Sequence, residues 1–386
     1  MGKTYFDRYH WAALLFIVLI AAALRLHDLG RAPLWLDEQC QLAAAQTSTI
    51  AECWTTGGQL GPIGHVSFFD TWFVWHAGGH SRAWLRLPAA LWGIATIGMV
   101  YVLGRRWFST SAGLFASALL AVSGVHIQFS REARGYALLV FLSVFWAWLL
   151  DGFVSRATWA RGVLLFVVAE IALQVHPAFV IVLASLAAAQ LFSLWIGAKT
   201  TEGATPRNVA SAIGAILAAT AAIFCLIPRE LPISTTNKPL SDSLIYTLLD
   251  IYKTLLGGYW GIASYLIAIL AVAGAMAGLR DKCARCGMLC ALSVTLAGAL
   301  PIVVGHWSGA AVFARYSLYA LPFILLLPTH GLDVLMQRLS SKEPVRWVAA
   351  VALAVGLLGS MYIQGRSPYD LERFKESRPD WPKLDR

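Results

Sequence analysis

Residues 130–152 read SREARGYALLVFLSVFWAWLLDG. The first five residues carry three charges, and from Tyr136 to Leu150 there are none. In hydrocarbon such a run is stable only as a helix, which satisfies its own backbone N–H and C=O groups where water cannot. At 1.5 Å per residue, residues 135 to 152 reach about 27 Å, close to the roughly 30 Å of a bilayer core. The stretch therefore predicts a membrane span with a charged cluster at its mouth.

The same pattern repeats along the 386-residue chain, which is 58% hydrophobic and only 13% charged. That composition excludes an ordinary soluble domain. Spans are expected near residues 11–27, 84–103, 111–127, 135–152, 161–176, 178–197, 209–227, 261–279, 287–304, 316–335 and 345–363. The expected fold class is an all-α polytopic membrane protein with about eleven transmembrane helices and interfacial helices in the first outer loop. One integral membrane domain covers 1–363, followed by a short polar tail over 364–386. The first span, with Lys3 and Arg8 ahead of it and Ala21-Ala22-Ala23 near its end, also has the look of a secretory signal. Arg25 and the acidic loop that follows argue that it belongs to the working protein.

Alternate short connections hold Lys3/Arg8, Arg105/Arg106, Arg156/Arg161, Lys199/Arg207, Arg280/Lys282/Arg285 and Arg338/Lys342/Arg346. The positive-inside rule puts that set in the cytoplasm, so the tail and two long loops, 28–83 and 228–260, are expected outside. The net charge of +9 then reports topology and needs no nucleic-acid partner. The arginines of the other face (Arg31, Arg82, Arg86, Arg131, Arg134, Arg229 and Arg315) sit at span ends or in the long loops. Each either snorkels to lipid headgroups or joins a cluster able to receive a phosphate.

Three constellations carry chemistry. The first outer loop runs from Arg25 through Arg31, Pro33 and Trp35 to Asp37-Glu38. Its aromatic stretch, Val66 to Trp75, suits a helix lying in the interface. Asp37 is either a base or the partner of Arg31 in a loop-fixing salt bridge. The second constellation is Ser130 to Tyr136. If helical, it places Arg131 and Arg134 on one face with Glu132 and Tyr136 beside it, at a helix start that favours anions. The alternative is a Glu132 ion pair with one of these arginines that only seals a helix end. The third, Arg315-Tyr316 to Leu321-Pro322, is either a headgroup site or an aromatic-belt anchor.

In this order, the early Asp37-Glu38, Arg86-Leu87-Pro88 entering the second span, Gly104-Arg105-Arg106 at its far end, Ser130 to Tyr136 and the late Arg315-Tyr316 resemble the GT-C membrane glycosyltransferases. The nearest branch is the protein O-mannosyltransferase and aminoarabinose (lipid A) transferase-like group, glycosyltransferase family 39-like. The resemblance implies an enzyme that moves a sugar from a polyprenyl-phosphate-linked donor to a lipid, glycan or protein acceptor at the extracytoplasmic face of a bacterial inner membrane. It puts the catalytic acid on Asp37, with Glu38 beside it, and the donor phosphate near Arg131 and Arg134, with Arg315 and Tyr316 as further candidates. Arg31, His65, Arg86, Glu132, Tyr136 and His176 are expected as substrate contacts. The family's pattern departs at Gly61-Pro62-Ile63-Gly64-His65, where relatives carry a Pro-Pro-Leu-Tyr-like stretch, and the large outer C-terminal domain of some relatives is not expected here. Some relatives hold a divalent metal, so His65 and His176 could touch phosphate, acceptor or such an ion; no ligand spacing in this sequence supports a metal site, and a divalent metal stays open as the one cofactor alternative to none.

The residues fit that chemistry when read alone. Inverting displacement at an anomeric carbon needs one base for the acceptor hydroxyl. A phosphate leaving group calls for fixed positive charge more than for an acid, unlike the paired carboxylates of glycoside hydrolases. No P-loop, Rossmann pattern or nucleophile elbow is present. Of six cysteines, Cys40 and Cys53 share the outer loop and could bridge, whereas Cys283, Cys286 and Cys290 read as reduced thiols and Cys225 as core. Two other readings stay open. A polysaccharide ligase or polymerase would use a lipid-linked oligosaccharide. A transporter would carry charge deep in several spans, where here mid-span charge is scarce, Glu170 being one exception near an end.

Overall fold

The computed structural model describes residues 5–60, 65–199, 202, 205–226, 262–308 and 314–339. The expected second outer loop, the eleventh span, the polar tail and the 61–64 departure lie outside these described residues, within which all regular structure is helical. Helix α1 (Tyr5–Leu26) is followed by three short helices, α2 (Leu36–Ala45), α3 (Ile50–Leu60) and α4 (Phe69–His76), with a 3-10 turn at His65–Phe68. Then come α5 (Arg82–Trp107), α6 (Thr110–Val122), α7 (Gly124–Ser130), α8 (Tyr136–Ser155), α9 (Trp159–Val175), α10 (Phe179–Trp195) and α11 (Pro206–Leu226). The chain continues through α12 (Ile262–Arg280), α13 (Arg285–Ala297), α14 (Leu300–Ser308), a 3-10 turn at Ala314–Ala320, and α15 (Leu321–Leu339).

Six of these helices are long and apolar enough to cross a membrane, or seven if one bent pair counts as a span. The bent pair corrects the expected span at 111–127. At Ser123 the backbone turns extended, and α7 leaves α6 at 65°. At that end, Ala121 O and Leu120 O, the latter also accepting from the Ser123 amide at 3.3 Å, accept from the Arg25 guanidinium at 2.9 and 3.3 Å. Arg25 Nη2 also lies 2.7 Å from His126 Nδ1. A fully buried arginine on α1 thus satisfies a helix end inside the bundle, where an unpaired carbonyl would be costly. The expected spans 287–304 and 316–335 both stand among the six, the first running through a turn between α13 and α14 and the second opening as the 3-10 turn.

Helix α5 packs against α1, α4, α6 and α8. Gly104 lets it approach α6 closely, since a Cβ there would fall 2.8 Å from Gly113 Cα. Trp146 of α8 lies in the core, its Nε1 donating to Leu165 O at 3.1 Å and its ring edge-on to Phe179. Apolar side chains such as Phe16, Leu19, Val163, Val167, Ile269 and Val272 remain exposed, the surface a span presents to lipid. At the end of α5 carrying Arg105 and Arg106, the buried Asp151 of α8 is held by Arg106 and by Lys199 Nζ at 2.7 Å. The opposite end carries α2 to α4 and the 131–135 connection.

Candidate active site

The site is built around the first turn of α2. The Trp35 amide caps that turn by donating to Glu38 Oε2 at 3.3 Å. Glu38 itself is fully buried. Arg86 Nε donates to Oε1 and Arg86 Nη2 to Oε2, each at 2.8 Å, and the Ala133 amide donates to Oε1 at 2.9 Å. Arg86 also donates to Leu29 O, Ala32 O and Pro33 O, all at 3.0 Å. One bidentate ion pair therefore ties together the 29–33 loop, α2, the start of α5 and the 131–135 connection. Glu38 and Arg86 hold the frame of the site.

Asp37, one residue earlier, lies about 100° around the helix. Its side chain is 32% exposed, with Oδ2 2.8 Å from Arg134 Nη1. The positive end of α2 adds to the field on that carboxylate. The Arg134 side chain is 4% exposed. Its guanidinium lies 5.1 Å from the Trp35 ring and 4.7 Å from the Tyr136 ring, and Nη2 donates to the Tyr136 hydroxyl at 3.4 Å. Arg134 Nε is buried with no acceptor among the described residues. Arg315, arriving from the 3-10 turn, lies 6.0 Å from the same Trp35 ring and 5.5 Å from Tyr316. His176 closes the group, 5.5 Å from Tyr136 and 6.5 Å from Tyr316 between ring centroids. Its Nδ1 accepts from the Ala178 amide at 3.1 Å, so in the neutral ring Nε2 carries the proton.

Asp37, Arg134, Tyr136, His176, Arg315 and Tyr316 thus gather in one aromatic-walled cluster. The other expected residues go elsewhere. Because α7 ends at Ser130 and α8 begins at Tyr136, residues 131–135 are not helical, and the shared face expected for Arg131 and Arg134 does not form. Arg131 instead caps α1, donating to Leu24 O and Arg25 O at 3.4 Å, to His27 O, and to Asp28 O at 3.2 Å. Arg31 faces solvent and pairs with Asp28 at 3.5 Å, not with Asp37. His65 stacks on Trp54 at 4.3 Å and bonds Trp54 O through Nδ1 at 2.9 Å. Glu132 Oε1 accepts from Gln128 Nε2 at 3.3 Å. Cys40 and Cys53 are free thiols, and burial pushes Cys53 up to about 11. Among the described residues no three His, Cys, Asp or Glu side chains gather closely enough to hold a metal.

Sequence reading passed over Trp35, whose ring lies near both guanidiniums. It also passed over Asp70 in α4, whose carboxyl accepts from Thr71 N at 2.7 Å and Trp92 Nε1 at 3.1 Å. Burial raises this group to about 6 against the pull of those bonds.

Among solved structures, the chain superposes on an Archaeoglobus fulgidus oligosaccharyltransferase tethered with an acceptor peptide, with TM-score 0.64, 14% identity and 98% of this chain covered. It superposes also on ArnT from Cupriavidus metallidurans bound to undecaprenyl phosphate, with TM-score 0.59, 15% identity, and 94% of this chain and 76% of that one covered. This is the GT-C fold. The chain spans 58% of the length of the archaeal protein. Another structure of A. fulgidus AglB, in complex with an inhibitory peptide and a dolichol-phosphate, gives TM-score 0.63 at 14% identity, covering 98% of this chain and 59% of that one. Within the GT-C fold, residues 66–202 match the family described as dolichyl-phosphate-mannose-protein mannosyltransferase. That match includes Arg134, Tyr136 and His176 and stops short of Asp37 and Arg315. No curated protein matches the chain by sequence.

Proposed function

We propose that this chain is a glycosyltransferase that moves a sugar from a polyprenyl-phosphate-linked donor to an acceptor at the extracytoplasmic face, with Asp37 as base and Arg134 and Arg315 as the phosphate clamp. The observation that carries this reading is the Asp37–Arg134 contact at 2.8 Å, with a second guanidinium on the same indole. The buried Arg134 Nε has no acceptor among the described residues, a donor still open to an anion. ArnT bound to undecaprenyl phosphate and AglB with a dolichol-phosphate share the fold, and both ligands are polyprenyl phosphates.

In the step proposed, the acceptor hydroxyl gives its proton to the Asp37 carboxylate as its oxygen bonds to the anomeric carbon. The bond from that carbon to the phosphate oxygen breaks, and the electron pair leaves with the polyprenyl phosphate. A single displacement of this kind inverts the anomeric centre. Charge developing on the departing phosphate falls to Arg134 and Arg315. Glu38 takes no part in proton transfer, because its oxygens already accept from Arg86, Ala133 and Trp35. The extracytoplasmic assignment rests on the Lys/Arg-rich short connections at the other end of the bundle.

The test is turnover by the purified chain in nanodiscs, supplied with lipid extract containing polyprenyl-phosphate sugars. Mass spectrometry should detect free polyprenyl phosphate and an acceptor heavier by one sugar. Release of neither product from any lipid-linked sugar, with the protein folded, contradicts the proposal.

A further inference from the structure

We propose that Trp35 is a positioning residue of the phosphate clamp, its indole holding Arg134 and Arg315 at a set separation so that both guanidiniums meet one donor phosphate. The inference rests on the glycosyltransferase reading and deepens it. Arg134 comes from the 131–135 connection and Arg315 from the turn before α15, so neither element alone fixes their spacing. Their charges repel each other. The Trp35 ring lies 5.1 Å from one guanidinium and 6.0 Å from the other, within the range where an aromatic face attracts a cation. Indole is the strongest such face among the side chains.

The platform is itself anchored. Trp35 N–H donates to Glu38 Oε2, and the amide of Ala133, next to Arg134, donates to Glu38 Oε1. One buried carboxylate therefore sets the register between the ring and the arginine it carries. Trp35 also lies two residues from Asp37, so the same anchor relates the clamp to the base.

The experiment measures binding of undecaprenyl phosphate and of unphosphorylated undecaprenol to the full chain in nanodiscs, for wild type, Trp35→Tyr, Trp35→Phe, Trp35→Leu and Arg134→Ala. Affinity for undecaprenyl phosphate should fall from Trp through Tyr and Phe to Leu, with Leu between about 3-fold and 30-fold weaker than wild type. Affinity for undecaprenol should stay constant across the series, which a purely structural role would not produce. Thermal unfolding of each variant checks folding. If Trp35→Leu does not fold, the order of Trp, Tyr and Phe carries the same prediction. Phosphate binding by Leu, or by Phe in that case, within 2-fold of wild type overturns the role of Trp35 alone, provided Arg134→Ala still loses affinity. A wild-type protein that does not prefer the phosphate over the alcohol overturns the donor reading, and the Trp35 proposal falls with it.

Discussion

Burial holds the Asp70 carboxyl up at about pKa 6 in the folded protein, while hydrogen bonds from Trp92 and Thr71 pull it back down. The folded chain keeps that proton across a window, from 3.8 to about 6, in which the unfolded chain has released it. Folding is therefore disfavoured progressively as pH rises through the window, and the penalty is complete above it. Asp70→Asn should remove this fall, which thermal unfolding in nanodiscs would show as a gain over wild type that is larger at pH 7 than at pH 4.5. The two arginines of the 131–135 connection should separate as sharply. Arg131→Ala uncovers the last carbonyls of α1 and should lower the melting temperature, leaving undecaprenyl phosphate affinity unchanged. Arg134→Ala should cost at least about 10-fold in that affinity. Asp37 and Arg134 were legible in the sequence because charge is conspicuous at the edge of an apolar chain. The divergence of Arg131 from Arg134 was not, since helical spacing was assumed where the backbone leaves the helix. Trp35 was hidden among 16 tryptophans, most of which an interfacial belt would explain as well.

At the scale of elements, the Glu38–Arg86 pair is the device that fixes α2 against α5. Removing one partner of a buried ion pair strands the other charge, at a cost of about 3–5 kcal/mol. Glu38→Ala and Arg86→Ala should each lower stability by about that much, read as a fall in unfolding temperature. The apolar pair Glu38→Leu with Arg86→Met should recover only part of the stability and little of the transfer activity, because the Ala133 and Trp35 amides lose their common acceptor and the 29–33 carbonyls their donor. The long helices were plain in the sequence, since their apolar runs match the bilayer. The break between α6 and α7 was not, because the segment stays apolar through Ser123 and the bend depends on Arg25, nearly a hundred residues away. Helices were expected in the first outer loop, but the bounds of α2 and α3 were not legible for a different reason: their mixed polar and apolar faces carry no span signal.

Across the whole molecule, the Asp37 cluster lies at one end of the bundle and the Asp151–Arg106–Lys199 network at the other. The proposed orientation puts residue 31 outside, so an Arg31→Cys variant in intact cells should react with a membrane-impermeant maleimide. The native Cys283, exposed next to Arg280 and Lys282, should react only after permeabilisation. The reverse pattern would put the site in the cytoplasm. Overall fold class was written in the hydropathy, and the orientation we propose rests on the loop charges, but the convergence of Arg315 on Trp35 joins residues too far apart for any local pattern to reveal. The central claim is that Asp37 is the base and shares Arg134 with the donor phosphate. It is tested most directly by measuring sugar transfer and undecaprenyl phosphate affinity together for Asp37→Asn in nanodiscs. The account predicts transfer lowered by at least about 100-fold, with the phosphate bound as tightly as by wild type or more tightly, since the competing carboxylate is gone. Transfer at the wild-type rate would contradict it.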